Sequence, residues 1–106
     1  MLFRSTVIAC WPVTRIHHWV RLLQARAIEN QAYVIGVNRI GEEPRYRYTG
    51  RSLIIDPHGE ILADAGAEER VISASLDPAW LEQYRRDFPA LGDIRPEWVR
   101  ACGPTS

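Results

Sequence analysis

Residues 14–38, TRIHHWVRLLQARAIENQAYVIGVN, decide the fold of this chain. In the first part of the stretch, apolar residues recur at spacings of four, three and four, which places them on one face of a helix: Ile16, Val20, Leu23 and Ala27. Thr14 carries the hydroxyl of a typical N-cap. We therefore predict an amphipathic helix over residues 15–30, closed by Asn30, that buries this face.

A strand is predicted on each side of this helix. Residues 6–11 are rich in β-branched and aromatic residues and end before Pro12, which cannot donate to a sheet ladder, so we predict a buried strand that ends at Trp11. Residues 31–38 are almost wholly apolar, which suits a strand that is buried on both faces. Strand, helix and strand in this order predict a parallel βαβ unit with a right-handed crossover and an α/β fold class.

A loop and a hairpin are predicted next. Residues 39–51 are polar and contain two glycines and a proline, which is typical of a loop. Residues 52–56 and 60–63 flank a turn in which Pro57 presets the first angle and Gly59 takes the positive φ. These two segments predict a β-hairpin.

The last predicted elements are one strand, one helix and a tail. Residues 70–76 alternate apolar and small residues, which predicts a further strand. Asp77 can cap a helix over residues 79–87 that has Pro78 in its first turn. Prolines and glycines from residue 88 onward indicate an irregular tail.

The composition fits one globular domain and excludes several classes of protein. The chain has 106 residues, 46% hydrophobic and 25% charged, and its 13 basic and 13 acidic residues cancel. Zero net charge gives no overall attraction to nucleic acid, and the longest apolar run, residues 32–37, is too short to span a membrane. All the basic residues are arginine, so no lysine nucleophile exists in the chain. The first residues lack the features of a secretory signal, which predicts a cytoplasmic location.

Few side chains suggest a metal site or a catalytic pair. His17 and His18 are adjacent, so on a helix they point about 100° apart and cannot both bind one metal ion. His58 is predicted to be a solvated turn residue. Arg26 and Glu29 form either a structural ion pair or a site with an oriented carboxylate. We predict neither a metal nor another cofactor.

One polar segment interleaves cations with aromatic rings: Arg45, Tyr46, Arg47, Tyr48 and Arg51. Surfaces that bind single-stranded nucleic acid use this chemistry for backbone charge and base stacking. The segment is short and the net charge is zero, so an ordinary loop that covers a pocket or a subunit contact is the favoured interpretation. We predict no nucleic-acid partner.

Four segments resemble the nitrilase superfamily of carbon-nitrogen hydrolases in the same order along the chain. The central one, ARAIENQAYVIGVNR at residues 25–39, is similar to the family's helix-to-strand segment. Trp11-Pro12 followed by Arg15 resembles the stretch before it, and residues 48–63 resemble the hairpin after it. Residues 84–97 are similar to the family's closing helix and tail. The resemblance thus runs from about residue 6 to residue 97.

The resemblance implies half of the family's four-layer α-β-β-α sandwich. The family's catalytic Glu, Lys and Cys precede the segment that resembles Trp11-Pro12, so residues 1–106 would form a single partial domain, the C-terminal half, with no catalytic residue. Cys10 lies at the end of the later strand and is not assigned the nucleophile's role. Trp11 and Asn38 are the predicted substrate-binding residues. Core packing for Trp11 and strand termination for Asn38 are the alternatives.

The resemblance also implies an amidase-type function of the omega-amidase branch, on the carbon-nitrogen bonds of small amides. We expect this chain to be inactive alone and to bind a small amide only if the missing half is supplied. A half-sandwich would expose an apolar sheet face and edge, which predicts a homo-oligomer or a partner chain. The alternative function is a non-catalytic binding or assembly module.

Overall fold

A four-stranded sheet with one helix packed on it forms the centre of the molecule. The computed structural model describes residues 3–93, apart from the side chains of residues 91 and 93. The elements, in chain order, are β1 (Arg4–Ala9), α1 (Ile16–Asn30), β2 (Tyr33–Asn38), β3 (Ile40–Glu42), β4 (Arg47–Thr49), β5 (Leu53–Ile55), β6 (Ile61–Asp64) and α2 (Pro78–Asp87). The sheet order is β1-β2-β5-β6, with β1 and β2 parallel and the other pairs antiparallel. The predicted parallel βαβ unit and the α/β class are confirmed.

The apolar face of α1 packs on the sheet as its spacing predicts. The buried cluster of this interface combines helix and strand residues: Trp19, Val20, Leu23, Ala27, Val34, Leu53 and Ile55. Gly36 of β2 lets the helix approach closely, because a Cβ there would lie 2.5 Å from Leu23 Cδ1 and 2.9 Å from a carbon of the Trp19 ring. This close contact fixes the position of α1 over β2 and β5.

The ends of α1 differ in part from the prediction. A 3-10 turn over Val13–Arg15 precedes the helix, and no side chain caps it, so the predicted Thr14 cap is wrong. The Arg15 N–H donates to the Pro12 carbonyl at 2.9 Å, so this turn already uses one backbone donor. The helix ends at Asn30 as predicted, and Gln31 follows in a left-handed conformation with φ 45°.

The first strand is placed earlier than predicted. β1 starts two residues before the predicted range 6–11 and leaves the sheet after Ala9, and its residues alternate between exposed and half-buried. The prediction of a buried strand is therefore wrong for β1, because only one of its faces lies on the α1 side of the sheet. β2 begins at Tyr33 rather than at Gln31, whose left-handed backbone cannot continue a strand.

The predicted loop over residues 39–51 contains a second, two-stranded sheet. β3 and β4 pair antiparallel, with Ile40 opposite Thr49. The loop prediction is wrong here because most side chains of this hairpin face solvent and show no apolar pattern. The predicted hairpin over residues 52–63 is confirmed as β5 and β6, and the Asp56 carboxylate accepts the backbone N–H groups of its turn.

Of the two elements predicted near the end of the described chain, the strand is absent and the helix is present. Residues 70–76 form no strand, although their exposure alternates as it would in one. Helix α2 is confirmed, with the Asp77 carboxylate accepting the Trp80 N–H at 3.0 Å. The tail beyond residue 93 lies outside the described residues. Within residues 3–93, no helix is long and apolar enough to cross a membrane.

Candidate functional site

The two predicted site residues lie at the ends of neighbouring strands. β1 and β2 run in the same direction, with Ala9 opposite Asn38, so the chain after each strand leaves the sheet at the same edge. Asn38 is buried, at 6% exposure. Its Oδ1 accepts the Trp11 N–H at 2.7 Å, and its Nδ2 donates to the carbonyls of Trp11 at 3.1 Å and Gly50 at 2.8 Å.

Asn38 thereby holds three segments of backbone together. Its own N–H also donates to Ser52 Oγ at 3.1 Å, so the ends of β1 and β2 and the segment before β5 meet at one residue. Both hydrogens of the Nδ2 group point at backbone carbonyls. In this structure Asn38 positions Trp11, and its direct contact with a substrate stays a prediction.

The indole of Trp11 faces the helix side of the sheet. Its ring centroid lies 6.4 Å from that of Trp19, and the side chain is half-buried. It borders a groove of about 390 Å³ between α1 and β1, which we call the α1 groove. Residues from strand and helix line it, among them Ser5, Val7, Trp11, Leu22, Leu23 and Arg26.

A second depression, the strand-end cleft, opens where β1 ends. It has a volume of about 400 Å³ and is lined by Cys10, Pro12, Thr14, Arg15, Tyr46 and Tyr48. The lining offers a thiol, hydroxyl groups and a guanidinium. No described carboxylate pairs with Arg15. The sequence predicted a binding role for neither residue: Thr14 was predicted only as an N-cap, and Arg15 was noted only because it follows Trp11-Pro12 in the segment that resembles the family.

The arginine and tyrosine segment is not one open stacking surface. Tyr48 is buried, and the Arg39 guanidinium lies over its ring at 4.5 Å from the centroid. Arg39 also donates a hydrogen bond to the Glu43 carboxylate, and this bond raises the pKa of Arg39. Of the two tyrosines, Tyr46 is the exposed one. The absence of a nucleic-acid partner stays a prediction.

Arg51 has a structural role next to Gly50, the residue whose carbonyl accepts from Asn38. Its carbonyl accepts the Trp19 Nε1–H at 2.8 Å, and its guanidinium donates to the Asp64 carboxylate at 2.6 and 3.2 Å. Burial alone would raise the pKa of Asp64, but the hydrogen bonds from Arg51 and from the Gly66 N–H outweigh it and lower that pKa. This ion pair links β6 to the segment between β4 and β5.

The other candidates from the sequence have structural surroundings. His58 is exposed, as predicted, but its ring packs edge-on against Trp80 and Tyr84, with centroids 5.2 and 4.5 Å away. Arg26 and Glu29 form an exposed ion pair, which fits the structural interpretation. The described part of the chain contains no group of three His, Cys, Asp or Glu that could hold a metal ion.

Comparison with known proteins identifies the family. The family model described as carbon-nitrogen hydrolase matches residues 2–86. The chain belongs to the carbon-nitrogen hydrolase family. This hydrolase-family chain is 44% identical over 101 residues to a 2-oxoglutaramate amidase of Paenarthrobacter nicotinovorans, and 50% identical over 88 residues to the omega-amidase YafV of Escherichia coli K12. The resemblance to the nitrilase superfamily is confirmed.

Solved structures of the same family share the fold. XC1258 of Xanthomonas campestris, a CN-hydrolase superfamily protein, matches with a TM-score of 0.82 and 35% identity over 87% of this chain and 35% of its own. Nit3 of Saccharomyces cerevisiae matches with a TM-score of 0.74 and 34% identity over 82% of this chain and 33% of its own. The two amidase relatives are covered to 34% of their length, so this carbon-nitrogen hydrolase chain spans about a third of the relatives it matches.

Proposed function

We propose that this chain forms one side of the active site of an amidase that hydrolyses a small ω-amide to a carboxylic acid and ammonia. One observation carries the proposal: the strand-end cleft presents Arg15, which pairs with no carboxylate among the described residues, beside a strand end that Asn38 holds in place. Support comes from the relatives, which are named 2-oxoglutaramate amidase and omega-amidase.

The cleft suits the acid end of such a substrate. 2-Oxoglutaramate carries a carboxylate beside a keto group at one end and the amide at the other. A guanidinium recognises a carboxylate with two parallel hydrogen bonds, and the hydroxyls of Thr14 and Tyr46 line the same cleft. In the proposal Arg15 binds the carboxylate, and Asn38 holds the backbone of Trp11, whose neighbours Cys10 and Pro12 line the cleft.

The chain alone is proposed to be inactive. Covalent hydrolysis of an amide needs a nucleophile, a base that activates water and a donor for the oxyanion within hydrogen-bonding reach. The sequence holds no lysine, and the described lining of the cleft around Cys10 contains no histidine or carboxylate. We therefore propose that this chain is the C-terminal part of the family's fold and that the remaining part supplies the catalytic Glu, Lys and Cys.

The test is a complementation assay. The chain is co-expressed with the part of the Paenarthrobacter nicotinovorans 2-oxoglutaramate amidase that lies outside the match, and ammonia release from 2-oxoglutaramate is measured. We expect no turnover from either part alone and turnover from the complex. Turnover by the chain alone would contradict the proposed dependence. A stable complex without turnover would contradict the amidase function and favour the assembly module.

Arg15→Gln tests the assignment of the carboxylate-binding residue in that complex. Loss of the charged, bidentate contact is expected to raise KM about tenfold or more, in line with about 1.5–3 kcal/mol for a hydrogen bond to a charged group. Arg21→Gln, at an exposed arginine of α1, is the matched control and should leave KM unchanged. Equal KM values for both variants would overturn the role of Arg15.

A further inference from the structure

Arg39 joins the end of the four-stranded sheet to the β3–β4 hairpin. Its N–H donates to the Ala9 carbonyl at 3.2 Å, so its backbone lies where β1 and β2 end. Its guanidinium lies over the ring of Tyr48, 4.5 Å from the centroid, and also donates to the Glu43 carboxylate. One side chain thus contacts both the turn of the hairpin and the middle of β4.

The β3–β4 hairpin depends on such contacts for its position. Each of its strands has three residues, and an isolated pair of strands is at best marginally stable in water. Most side chains of the hairpin face solvent, whereas Tyr48 is buried at 9% exposure. Burial of Tyr48 therefore fixes where the hairpin lies, and the Arg39 guanidinium packs on the Tyr48 ring.

The same tyrosine lines the strand-end cleft. Tyr46 and Tyr48, whose ring centroids are 6.5 Å apart, line the cleft from the hairpin, and Thr14 and Arg15 line it from the 3-10 turn. β4 packs against this turn. The distance between the tyrosines and Arg15 therefore depends on how β4 is held. Arg39 holds β4 but does not itself line the cleft.

We propose that Arg39 is a positioning residue for the strand-end cleft. It holds Tyr48, and with it Tyr46, at the distance from Arg15 at which the cleft binds the acid end of a small amide. The inference rests on the proposed function and deepens it, because it assigns part of the affinity for that end to a residue that does not contact it. A planar guanidinium can stack on an aromatic ring and donate to a carboxylate at the same time, whereas a lysine offers only a point charge.

A purely structural role of Arg39 predicts a different outcome. If its contacts with Tyr48 and Glu43 only stabilised the fold, their loss would lower the free energy of unfolding and leave the ligand affinity of folded molecules unchanged. A positioning role predicts lower affinity in molecules that remain folded. Ligand affinity of the folded protein therefore separates the two roles.

Four substitutions test the positioning role. Arg39→Gln removes both the stacked cation and the charged hydrogen bond. Arg39→Lys keeps the charge without the planar group, and Glu43→Gln removes the charged acceptor but leaves the contact with Tyr48. Arg47→Gln is the matched control, because Arg47 is an exposed arginine of β4, one residue before Tyr48, and does not line the cleft.

The measurement is the affinity of the full chain for 2-oxoglutarate by titration calorimetry. The chain is titrated alone and in complex with the complementary part, which is the part of the Paenarthrobacter nicotinovorans amidase outside the match. 2-Oxoglutarate is the product of the proposed reaction, so its binding requires no turnover. We expect Kd to rise about fivefold or more for Arg39→Gln, the range of a cation–π contact plus a charged hydrogen bond.

The other variants should grade this effect. We expect a smaller rise in Kd for Arg39→Lys and Glu43→Gln, and no change for Arg47→Gln. In the turnover assay of the complex, KM for 2-oxoglutaramate should rise by the same factor as Kd, with kcat unchanged. A fall in kcat at constant KM would contradict a role in binding.

Failure of the inference and failure of the proposed function give different results. A complex that binds 2-oxoglutarate without turnover of the amide would contradict the amidase function, and the affinities of the variants would still decide the role of Arg39. Equal affinities of Arg39→Gln and Arg47→Gln, with both folded by circular dichroism, would overturn the positioning role. If Arg39→Gln does not fold, unchanged affinity of both Arg39→Lys and Glu43→Gln would overturn it. No binding of 2-oxoglutarate by the wild type would overturn both proposals.

Discussion

The two edge strands of the sheet differ in how they are protected. β1 has six residues in regular register with β2 and offers outward backbone groups along its length. β6 has four residues, its pairing with β5 shifts register, and Arg70 donates to the Asp64 carbonyl at 3.1 Å. Short length, irregular register and charged residues are the usual means by which an edge avoids pairing. The contrast indicates that the β6 edge is protected against pairing with another strand, whereas the β1 edge is not. We call the β6 side of the sheet the closed side and the β1 side the open side.

The largest expected effect concerns the closed side. Leu53 of β5 is fully buried against α1, so Leu53→Ala should lower the free energy of unfolding by about 2–5 kcal/mol. Urea denaturation measures this loss. A loss below 1 kcal/mol would mean that the part of the sheet next to β6 is loosely packed on α1.

The second-largest effect concerns Asn38, which links the ends of β1 and β2 to the segment before β5. Asn38→Ala removes the side chain that bonds Trp11 and Gly50 and leaves buried backbone groups without partners, which should cost about 1–3 kcal/mol. Ser52→Ala, which removes one bond to the Asn38 N–H, is the control and should cost less. Equal losses in urea denaturation would contradict the role of Asn38 as a clamp.

The third effect tests the protection of the β6 edge. Because the folded-state pKa of Asp64 is lowered, its ion pair stabilises the fold above the unfolded pKa of about 3.9 and is lost as the pH falls through the lower folded value. The partners are about one-third exposed, so solvent limits this contribution to at most about 1 kcal/mol. Asp64→Asn should remove this part of the acid dependence in thermal melts from neutral pH to pH 3. An unchanged acid dependence would show that the pair contributes nothing.

The smallest effect in the free chain concerns the open side. Ile8 is mostly exposed, so Ile8→Ala should change the free energy of unfolding by less than about 0.5 kcal/mol. The same change should weaken binding of the complementary part, because it removes apolar area from the contact. A large loss of stability in the free chain would show that Ile8 is already covered.

The sequence correctly predicted the elements whose geometry depends on residues that lie close together in the chain. The spacing of Val20, Leu23 and Ala27 predicted the buried face of α1, Gly59 predicted the turn of the β5–β6 hairpin, and Asp77 predicted the start of α2. In each case the residues that decide the geometry lie within a few positions of one another. Such signals can be recognised in a single sequence.

Features that depend on distant partners were missed. The β3–β4 hairpin is polar on its exposed sides and is fixed by contacts such as Arg39 over Tyr48. The strand-end cleft joins Arg15 to Tyr46, which lies far along the chain on another element. The alternation in residues 70–76 reflects exposure and not strand pairing. Neither spacing nor composition encodes which distant segment a residue meets.

Hydrogen exchange at the β1 backbone tests the central claim most directly. In the free chain, the outward amides of Thr6 and Ile8 should exchange fast, whereas the Arg39 amide, bonded to the Ala9 carbonyl, should be protected. In the presence of the complementary part of the amidase, the Thr6 and Ile8 amides should slow at least tenfold. Protection of both amides in the free chain, or unchanged exchange in the complex, would contradict the account.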